Sequence, residues 1–503
     1  MKNRLFIALL ILTGSFACSD LEEELRQDVD GETANADVEV SELLRAAYEA
    51  FRLPYQDQSR YWAAQEHTGD QAIPPTRGPD WDDNGIWRSL HTHTWASNHG
   101  YLSSTFSELL QIVFATTNLL NFNPTTQQEA EARFLRAFVM FSVVDGWGQV
   151  PFREAGTSLL LDAQVLSAQE ALDFIVSEMN DIMSNLPDGP AFVANKDAAK
   201  VLLMKVYLNR GAFLNRESPS FDNADMQQVI SLADQIINSG KYSLGGYFEN
   251  FAPNNDAIST ENIFTHENKA GVGGNGNSVR SRWFCGLHYN QNPSGWNGFT
   301  TLSDFYDSFD DPDDVRLGGE YAGQTDVSGI RTGLLLGLQH DQNGTALLDR
   351  KGNPLAFTKE VALRESANNL EITGIRVIKY PIDYNNGDNV NNDYVYYRLA
   401  DVMMMKAEAL LRNGDAGGAL AIVNQIRTAR NADPLGLLNL DALLAERGRE
   451  FYWEGHRRTD LIRFGKFLNA WQEKAASGAE RLLFPIPAQS LAGNPNLAQN
   501  PGY

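Results

Sequence analysis

Apolar residues recur at three- and four-residue steps along much of this chain, and that period predicts a mainly helical fold. Six segments before residue 240 carry the pattern: residues 40–52, 101–121, 127–146, 168–185, 195–213 and 225–238. The segment at residues 127–146 is apolar almost all round, which predicts a helix buried on every side. Trp147 to Pro151 should end it.

A second helical region, residues 398–429, predicts a helix–turn–helix. Asn413-Gly414-Asp415 is the break, and Gly414 suits the position after a helix C-terminus. Ala407 and Ala419 are small residues at places where paired helices would approach closely. Their spacing resembles a tetratricopeptide unit, and several such pairs would stack into a superhelix.

The middle of the chain differs from both ends. From about residue 240 to 393 it is rich in Gly, Asn, Asp and aromatic residues, with short β-like runs at residues 263–266 and 375–382. Long irregular stretches inside a folded chain often carry function. We therefore expect a helical region at 18–240, a loop-rich ligand-binding elaboration at 241–392, and a helical region with a docked tail at 393–503.

The N-terminus reads as an export signal. Lys2 and Arg4 precede an apolar run at residues 5–12, and small residues follow, so residues 1–17 are predicted to be a signal peptide. The run is too short to span a bilayer, and no later run is long enough. Ser15 to Cys18 resembles a bacterial lipobox, which predicts acylation of Cys18. A plain cleaved signal peptide, with Cys18 lost or unmodified, is the alternative.

Charge and cysteine content narrow the function classes. The formal net charge of the 503 residues is −23, which disfavours contact with nucleic acid and with anionic lipid. Cys285 is the one other cysteine, so no disulfide framework can form; we expect it to be a small buried apolar residue.

The C-terminal tail, residues 482–503, contains four prolines and cannot be one helix. Leu482, Leu483, Phe484 and Ile486 would be exposed unless the tail docks on the rest of the protein. We therefore expect it to cross a surface in extended and turn conformations.

Four segments together resemble the SusD/RagB family of Bacteroidetes outer-membrane lipoproteins. They are residues 134–152, 396–415, 446–465 and 482–503, and the acidic stretch at residues 19–24 resembles the surface-export signal of such lipoproteins. The resemblance implies an all-α, tetratricopeptide-like fold with a loop-rich elaboration carrying short β segments. It also implies that the protein is no enzyme and passes a nutrient to a TonB-dependent SusC-like transporter.

Within the Arg-rich segment at residues 446–465, read as one helix, charged residues three or four apart can pair. Glu446 with Arg449, and Glu454 with Arg457 or Arg458, have that spacing. A salt-bridged scaffold role is therefore predicted for this segment over direct contact with ligand.

Two aromatic clusters are the candidate ligand site. Residues 76–95 contain Trp81, Trp87 and Trp95, and residues 282–298 contain Trp283, Tyr289 and Trp296; both clusters are rich in Gly and Asn or Asp. Flat rings suit the apolar faces of sugars, whereas amides and carboxylates meet hydroxyl groups. The predicted ligand-binding residues are Trp81, Trp87, Trp283, Tyr289 and Trp296. Core packing is the alternative for each.

Other motifs are weaker. Residues 80–85 begin like a calcium loop, but His91 stands where a bidentate Glu is required. The acidic cluster at 310–314 and the His91/His93 pair lack further ligands at diagnostic spacing. Residues 271–276 satisfy G-x-G-x-x-G without a surrounding βαβ unit and favour a mobile loop. We predict no metal, no cofactor and no catalytic residue.

Both ends of the chain favour the same hypothesis, namely that the protein is a surface-exposed lipoprotein of the outer membrane that captures a nutrient. The expected ligand is an oligosaccharide, and a peptide or other non-sugar nutrient is the alternative in the same role. A secreted glycoside-cleaving enzyme remains open, because paired carboxylates leave no local motif. A structural adaptor that touches no ligand is the third hypothesis.

Overall fold

Long helices form where the sequence has the helical period. The computed structural model describes residues 39–271, 279–366 and 370–503. Before residue 240 the helices are α1 Val40–Ala50, α2 Arg52–Gln56, α3 Tyr61–Glu66, α4 Ile86–His91, α5 Gly100–Leu119, α6 Thr126–Trp147, α7 Ala168–Ile182, α8 Lys196–Leu214 and α9 Asn223–Ile237. All six predicted segments are thus helical over most of their length.

Shorter helices follow in the middle of the chain, and longer ones return near its end. They are α10 Asn255–Ile258, α11 Ser281–Phe284, α12 Ser303–Tyr306, α13 Thr325–Ser328, α14 Leu399–Arg412, α15 Ala416–Ala429, α16 Leu440–Phe451, α17 Arg457–Arg463 and α18 Ala488–Gly493. None of the helices in the described ranges is both long and apolar enough to cross a membrane.

Side-chain caps fix where the long helices begin. Thr125 before α6 and Ser167 before α7 each form a capping box with the residue three positions later. Asn195 and Asp222 cap α8 and α9 by accepting a backbone N–H bond. As predicted, α6 is buried over almost its whole surface, and it ends where Gly148 takes a φ of +72°.

The long helices stack in chain order. Helix α5 packs on α6, α6 on α7, α7 on α8 and α8 on α9; α9 then packs on α14, and α14 on α15. The C-terminal pair therefore continues the stack begun before residue 240, although the whole middle of the chain lies between them in sequence. The architecture is the predicted all-α, tetratricopeptide-like superhelix of helical pairs.

The predicted close contact between α14 and α15 is present. Ala407 and Ala419 are both fully buried and share one apolar cluster with Met404 and Val423. Gly414 in the turn has a φ of +88°, a conformation that costs glycine little.

Short antiparallel strand pairs accompany the helices. The described residues contain β1 Gln149–Phe152 with β2 Gln164–Ser167, β3 Asn262–His266 with β8 Tyr394–Arg398, β4 Gly333–Leu335 with β7 Arg376–Ile378, and β5 Gly337–Leu338 with β6 Ala356–Phe357. Both β-like runs of the sequence contribute a strand, β3 and β7. The β3–β8 pair joins the two ends of the loop-rich region.

The Arg-rich segment is not one helix, and this prediction was wrong. Helix α16 ends at Phe451 and α17 starts at Arg457, because Trp453 and Gly455 have φ of +62° and +80° in the turn between them. Glu446 does pair with Arg449, at 2.6 Å. Glu454, however, pairs with Arg398 and Lys379, each at 2.8 Å.

The predicted partners of Glu454 pair elsewhere. Arg457 contacts Asp70 at 2.5 Å, and Arg458 contacts Asp145 at 3.2 Å. All these pairs join parts of the chain that are far apart in sequence, so tertiary contacts have replaced the local ones that the spacing suggested.

A buried set of ion pairs, here called the arginine–glutamate network, fixes the middle region to the C-terminal helices. Its members are Glu261, Arg316, Lys379, Arg398, Arg427, Arg430, Glu446, Glu450 and Glu454. Glu450 accepts from Arg398 at 2.7 Å, Arg430 at 2.9 Å and Arg316 at 3.2 Å. Burial alone would raise the pKa of Glu446, but Arg316, Arg449 and Arg427 lower it to about 2. The Arg-rich segment at residues 446–465 is therefore part of a salt-bridged scaffold, as predicted.

The tail is docked, as predicted. Phe484 and Ile486 are fully buried, and the Phe484 N–H donates to Gly146 O at 2.9 Å. Trp147 Nε1 donates to Pro485 O at 3.1 Å, and Trp95 Nε1 donates to the Tyr503 hydroxyl at 2.5 Å. The tail therefore covers the end of α6.

Some predictions lie outside the described residues. These are the signal peptide at 1–17, the acylation site Cys18, and residues 272–276 of the glycine-rich motif. Cys285 is described: it is fully buried, and burial raises the pKa of its thiol well above the usual range.

Candidate functional site

The two aromatic clusters predicted from the sequence meet at the protein surface. Trp81 Nε1 donates to Trp296 O at 3.0 Å, and the two ring centroids lie 6.4 Å apart with a 46° angle between the planes. Phe284 lies on the other side of Trp296, with centroids 5.9 Å apart. Tyr289 joins the group through its hydroxyl, which donates to Asp80 Oδ2 at 2.8 Å. We call Trp81, Phe284, Tyr289 and Trp296 the aromatic patch.

Exposure separates the five predicted ligand residues. Trp296 is 43% exposed, and Trp81 and Tyr289 are half-buried. Trp87 and Trp283 are only 3% and 1% exposed. Trp87 lies beneath Trp81, with centroids 5.5 Å apart, and Trp283 stacks beneath Phe284 at 6.5 Å. These two predicted ligand residues therefore support the patch from below and offer no free face to a ligand.

Close packing fixes the Trp81 ring. The Phe299 ring lies 4.8 Å from it, centroid to centroid. Gly298 lies against its edge: a Cβ at that position would come within 2.4 Å of Trp81 Cε2. Only glycine leaves room for this ring, so residue 298 helps to set the ring orientation.

Left-handed backbone conformations occur on both sides of the patch. Trp81 has a φ of +60° and Asn297 a φ of +51°, and Asp83 and Asn84 are also positive. Such values are uncommon for residues with a side chain, particularly a bulky one, and they cluster at functional sites. The loops are therefore held in one shape by the surrounding structure.

Two buried arginines hold these loops. Arg77 donates to Gly298 O at 3.2 Å, and to Thr373 Oγ1 and O at 2.7 and 2.8 Å. Arg376 donates to Asn297 Oδ1 at 2.8 Å. Burial lowers the pKa of Arg77 to about 10. These bonds join the loop that carries Trp81, the loop that carries Trp296 and the segment that contains Thr373 and Arg376. They hold the patch in one shape.

Tyr289 has one face covered. Arg350 Cζ lies 3.8 Å from its ring centroid, while Arg350 Nε donates to Glu371 Oε1 at 2.8 Å. Glu371 also contacts His288 Nε2 at 2.9 Å. Burial and the bond to Asp80 raise the pKa of Tyr289 to about 12, so its hydroxyl stays protonated. A ligand can use its edge and hydroxyl but not the covered face.

Polar side chains and open space lie beside the rings. Arg88 contacts Asp82 at 2.5 Å and also donates to Thr76. From Gly85 and Arg88 a groove of about 530 Å³ extends past Thr92 and Thr94, and its other wall includes Arg364 and Glu473. None of the four patch rings lines this groove, which is connected to the patch through Arg88 and its contact with Asp82.

The weaker motifs have structural roles. His91 Nε2 lies 3.0 Å from Gln472 O, and His93 contacts Ser477 and Thr68, so both imidazoles are used in packing. In the acidic cluster at 310–314, Asp310 pairs with Arg427 and Asp314 with Arg316. No group of three or more potential metal-ligating side chains occurs in the described ranges.

Sequence reasoning missed Phe284 and Arg350 as members or neighbours of the patch. Phe284 follows Trp283 directly, but no pattern shows which of two adjacent rings faces outward. Arg350 lies in a turn closed by Asp349, which accepts from the Lys351 and Asn353 N–H groups. That turn was detectable, but its contact with Tyr289 was not.

Helical-pair proteins with the same architecture are known. A laminarin-binding SusD-like protein superposes with a TM-score of 0.69 over 92% of this chain and 99% of its own, at 20% identity. Surface glycan-binding protein A from Bacteroides thetaiotaomicron, solved with laminarihexaose, gives a TM-score of 0.69 over 92% of this chain and 98% of its own, at 17% identity. At these identities the likeness establishes the fold.

Sequence comparison shows which proteins the chain is similar to. The SusD family model matches residues 260–503. The starch-binding protein SusD of B. thetaiotaomicron is 25% identical over 95% of this chain and 88% of its own length. SusD-like protein P38 of Formosa agariphila is 25% identical over 99% of this chain and 98% of its own. The C-terminal part of the chain, residues 260–503, thus matches the SusD family, and nearly the whole chain is similar to SusD and to a SusD-like protein.

Proposed function

We propose that this protein captures an oligosaccharide at the aromatic patch and delivers it to a TonB-dependent SusC-like transporter. The observation that carries the proposal is the exposed Trp296 ring beside Trp81 on loops fixed by Arg77 and Arg376. Exposed rigid rings beside hydrogen-bonding groups suit the two kinds of surface on a sugar. The glycan ligands named for the relatives support the same ligand class.

The proposed role is binding without catalysis. An affinity between about micromolar and millimolar, or about −8 to −4 kcal/mol, would allow release into a transporter. Acyl chains on Cys18 anchor the protein to the outer membrane, with the folded part facing the exterior. In this arrangement residues 18–240 and 393–503 supply the helical scaffold, and 241–392 supply part of the ligand site.

An apolar surface supports contact with a partner. Leu159, Leu160 and Leu161, between β1 and β2, are 66%, 97% and 61% exposed, and Phe114 on α5 is exposed beside them. Contiguous exposed apolar residues are unusual unless they bind something. Replacing Leu160 with Asp is expected to reduce co-purification with the transporter without changing glycan affinity. Equal recovery of the transporter would exclude this surface.

Isothermal titration against a panel of glycans and peptides tests the ligand class. We expect Trp296→Ala to raise the dissociation constant for the bound glycan at least tenfold, a loss of about 1.4 kcal/mol. Phe114→Ala, which removes another exposed ring, is the matched control and should leave it unchanged. If Trp296→Ala binds as tightly as the unmodified protein, the patch is not the site. If only peptides bind, the ligand class is wrong.

A further inference from the structure

The charged groups around the aromatic patch are unevenly compensated. Asp80, Asp82 and Asp83 flank Trp81 directly in the chain, and Glu371 lies behind Tyr289. The guanidinium groups on the same rim are Arg88 and Arg350. Arg88 pairs with Asp82 at 2.5 Å, and Arg350 pairs with Glu371 at 2.8 Å. Each arginine therefore already neutralises one carboxylate.

The four carboxylates of the rim outnumber its two guanidinium groups, although Asp80 also interacts electrostatically with Arg350. Asp80 and Asp83 are both exposed, and within the described residues neither forms an ion pair with a Lys or Arg. Their hydrogen-bond donors are neutral: the Tyr289 hydroxyl for Asp80 at 2.8 Å, and Trp87 Nε1 for Asp83 at 2.7 Å. The groove beyond is lined by Arg88, which already pairs with Asp82, and by Arg364 and Glu473, whose charges cancel, so it does not reverse the balance.

Resting on the proposed function, we propose that this rim restricts the patch to uncharged glycans and rejects chains of carboxylated sugars. Asp80 and Asp83 lie within two residues of Trp81 in the chain, so a sugar stacked on that ring approaches a rim with more carboxylates than cations. Like charges at short distance repel each other. The repulsion is stronger beside a protein surface than in bulk water, because the effective dielectric constant is lower there. A neutral chain does not meet this repulsion, and its hydroxyl groups can donate to the same oxygens.

The test uses paired oligosaccharides that differ only in charge. Hexasaccharides of α-1,4-glucan, β-1,3-glucan, β-1,4-mannan and β-1,4-galactan, and the same four oxidised at C6 to the uronates, are titrated into the protein at low salt. We expect the neutral form of the bound chain to bind about tenfold more tightly than its uronate. Near 1 M salt the difference should shrink, because the screening length falls to about 3 Å.

The double variant Asp80→Asn/Asp83→Asn should bring the uronate-to-neutral ratio of dissociation constants to within about threefold. Because Asp80 also accepts a hydrogen bond from the Tyr289 hydroxyl, its replacement can change both dissociation constants. The quantity to compare is therefore their ratio, and not either constant alone. The control Glu217→Gln/Asp256→Asn removes the same charge from exposed positions outside the patch and should leave the ratio unchanged.

Each result decides between the two proposals. A uronate that binds as tightly as its neutral partner, or more tightly, overturns the charge selection and leaves glycan capture standing. A ratio that responds equally to the control variant overturns it too, because the net charge of the protein would then be the cause. Failure of all eight chains to bind overturns glycan capture, and the selection with it.

Discussion

The arginine–glutamate network and the aromatic patch are both assembled from distant parts of the chain, but they differ in how far they are exposed to solvent. In the network, carboxylates and guanidinium groups are buried and face each other at 2.7 to 3.3 Å. In the patch, Trp296 and Asp80 remain exposed to solvent. The charged groups of the network face partners inside the protein, whereas a ring and a carboxylate of the patch are open to solvent. This difference is the one expected between a cluster that stabilises the fold and a cluster that binds a ligand.

The largest effect is expected from removing a network carboxylate. Glu450→Ala leaves Arg316, Arg398 and Arg430 buried without their shared partner, and we expect a loss of about 3–5 kcal/mol in the free energy of unfolding. Denaturant unfolding measures it. Glu42→Ala, which breaks the exposed Arg45–Glu42 pair, is the control and should change stability by less than about 1 kcal/mol. Equal effects would show that the network is not the stronger cluster.

The second-largest effect is expected from acid, which should weaken the network. The pKa of Glu446 is lowered to about 2 in the folded state, against about 4.5 when unfolded, and the pKa values of Glu450 and Glu454 are also lowered. A lowered carboxylate pKa stabilises the fold above the unfolded value, and that stabilisation is lost as pH falls towards the folded value. Urea unfolding at pH 5 and pH 3 should show a loss of about 2 kcal/mol or more. A flat profile would contradict the assignment.

Substitution under the patch should affect binding alone. Gly298→Ala places a Cβ against Trp81 Cε2 and displaces the ring, so we expect about tenfold weaker glycan binding, or about 1.4 kcal/mol. Calorimetric titration measures the affinity. Gly436→Ala, where a Cβ meets no atom within 4 Å, is the matched control. If Gly298→Ala keeps full affinity, the orientation of Trp81 does not matter for binding.

The smallest effect is expected at the edge of the patch. Arg350→Gln removes the cation over Tyr289, a contact worth about 0.5–1 kcal/mol at exposed sites, so the Tyr289 ring should be held less firmly and affinity for a neutral glycan should fall by no more than about threefold. The neighbouring Lys351→Gln makes the same charge change on an exposed side chain and should have no effect. A response to both variants would indicate a general charge effect in place of a contact.

Local patterns predicted the helices well, because the period of apolar residues in α5 to α9 is encoded within a few residues. The Arg-rich segment was misjudged for the opposite reason. Glu454 has suitable partners nearby, yet it pairs with Arg398 and Lys379. Which partner wins depends on packing between distant segments, and no local spacing records that.

For the patch, composition identified the two aromatic clusters but not the role of each ring. Trp296 and Trp283 belong to the same cluster in the sequence, yet one is 43% exposed and the other 1%. Their difference arises from where α11 docks, beneath the loop that carries Trp296. Arg350 could not be predicted at all, because its turn is joined to Tyr289 only through the tertiary structure.

The β3–β8 pair has a consequence for how such proteins diversify. It holds residues 262–266 against residues 394–398, so both ends of the loop-rich region are fixed at one place on the helical stack. Lengthening a loop whose ends are already joined costs little, about 0.6 kcal/mol for each doubling. Evolution can therefore exchange or enlarge the loops between these strands while the helical scaffold is inherited unchanged.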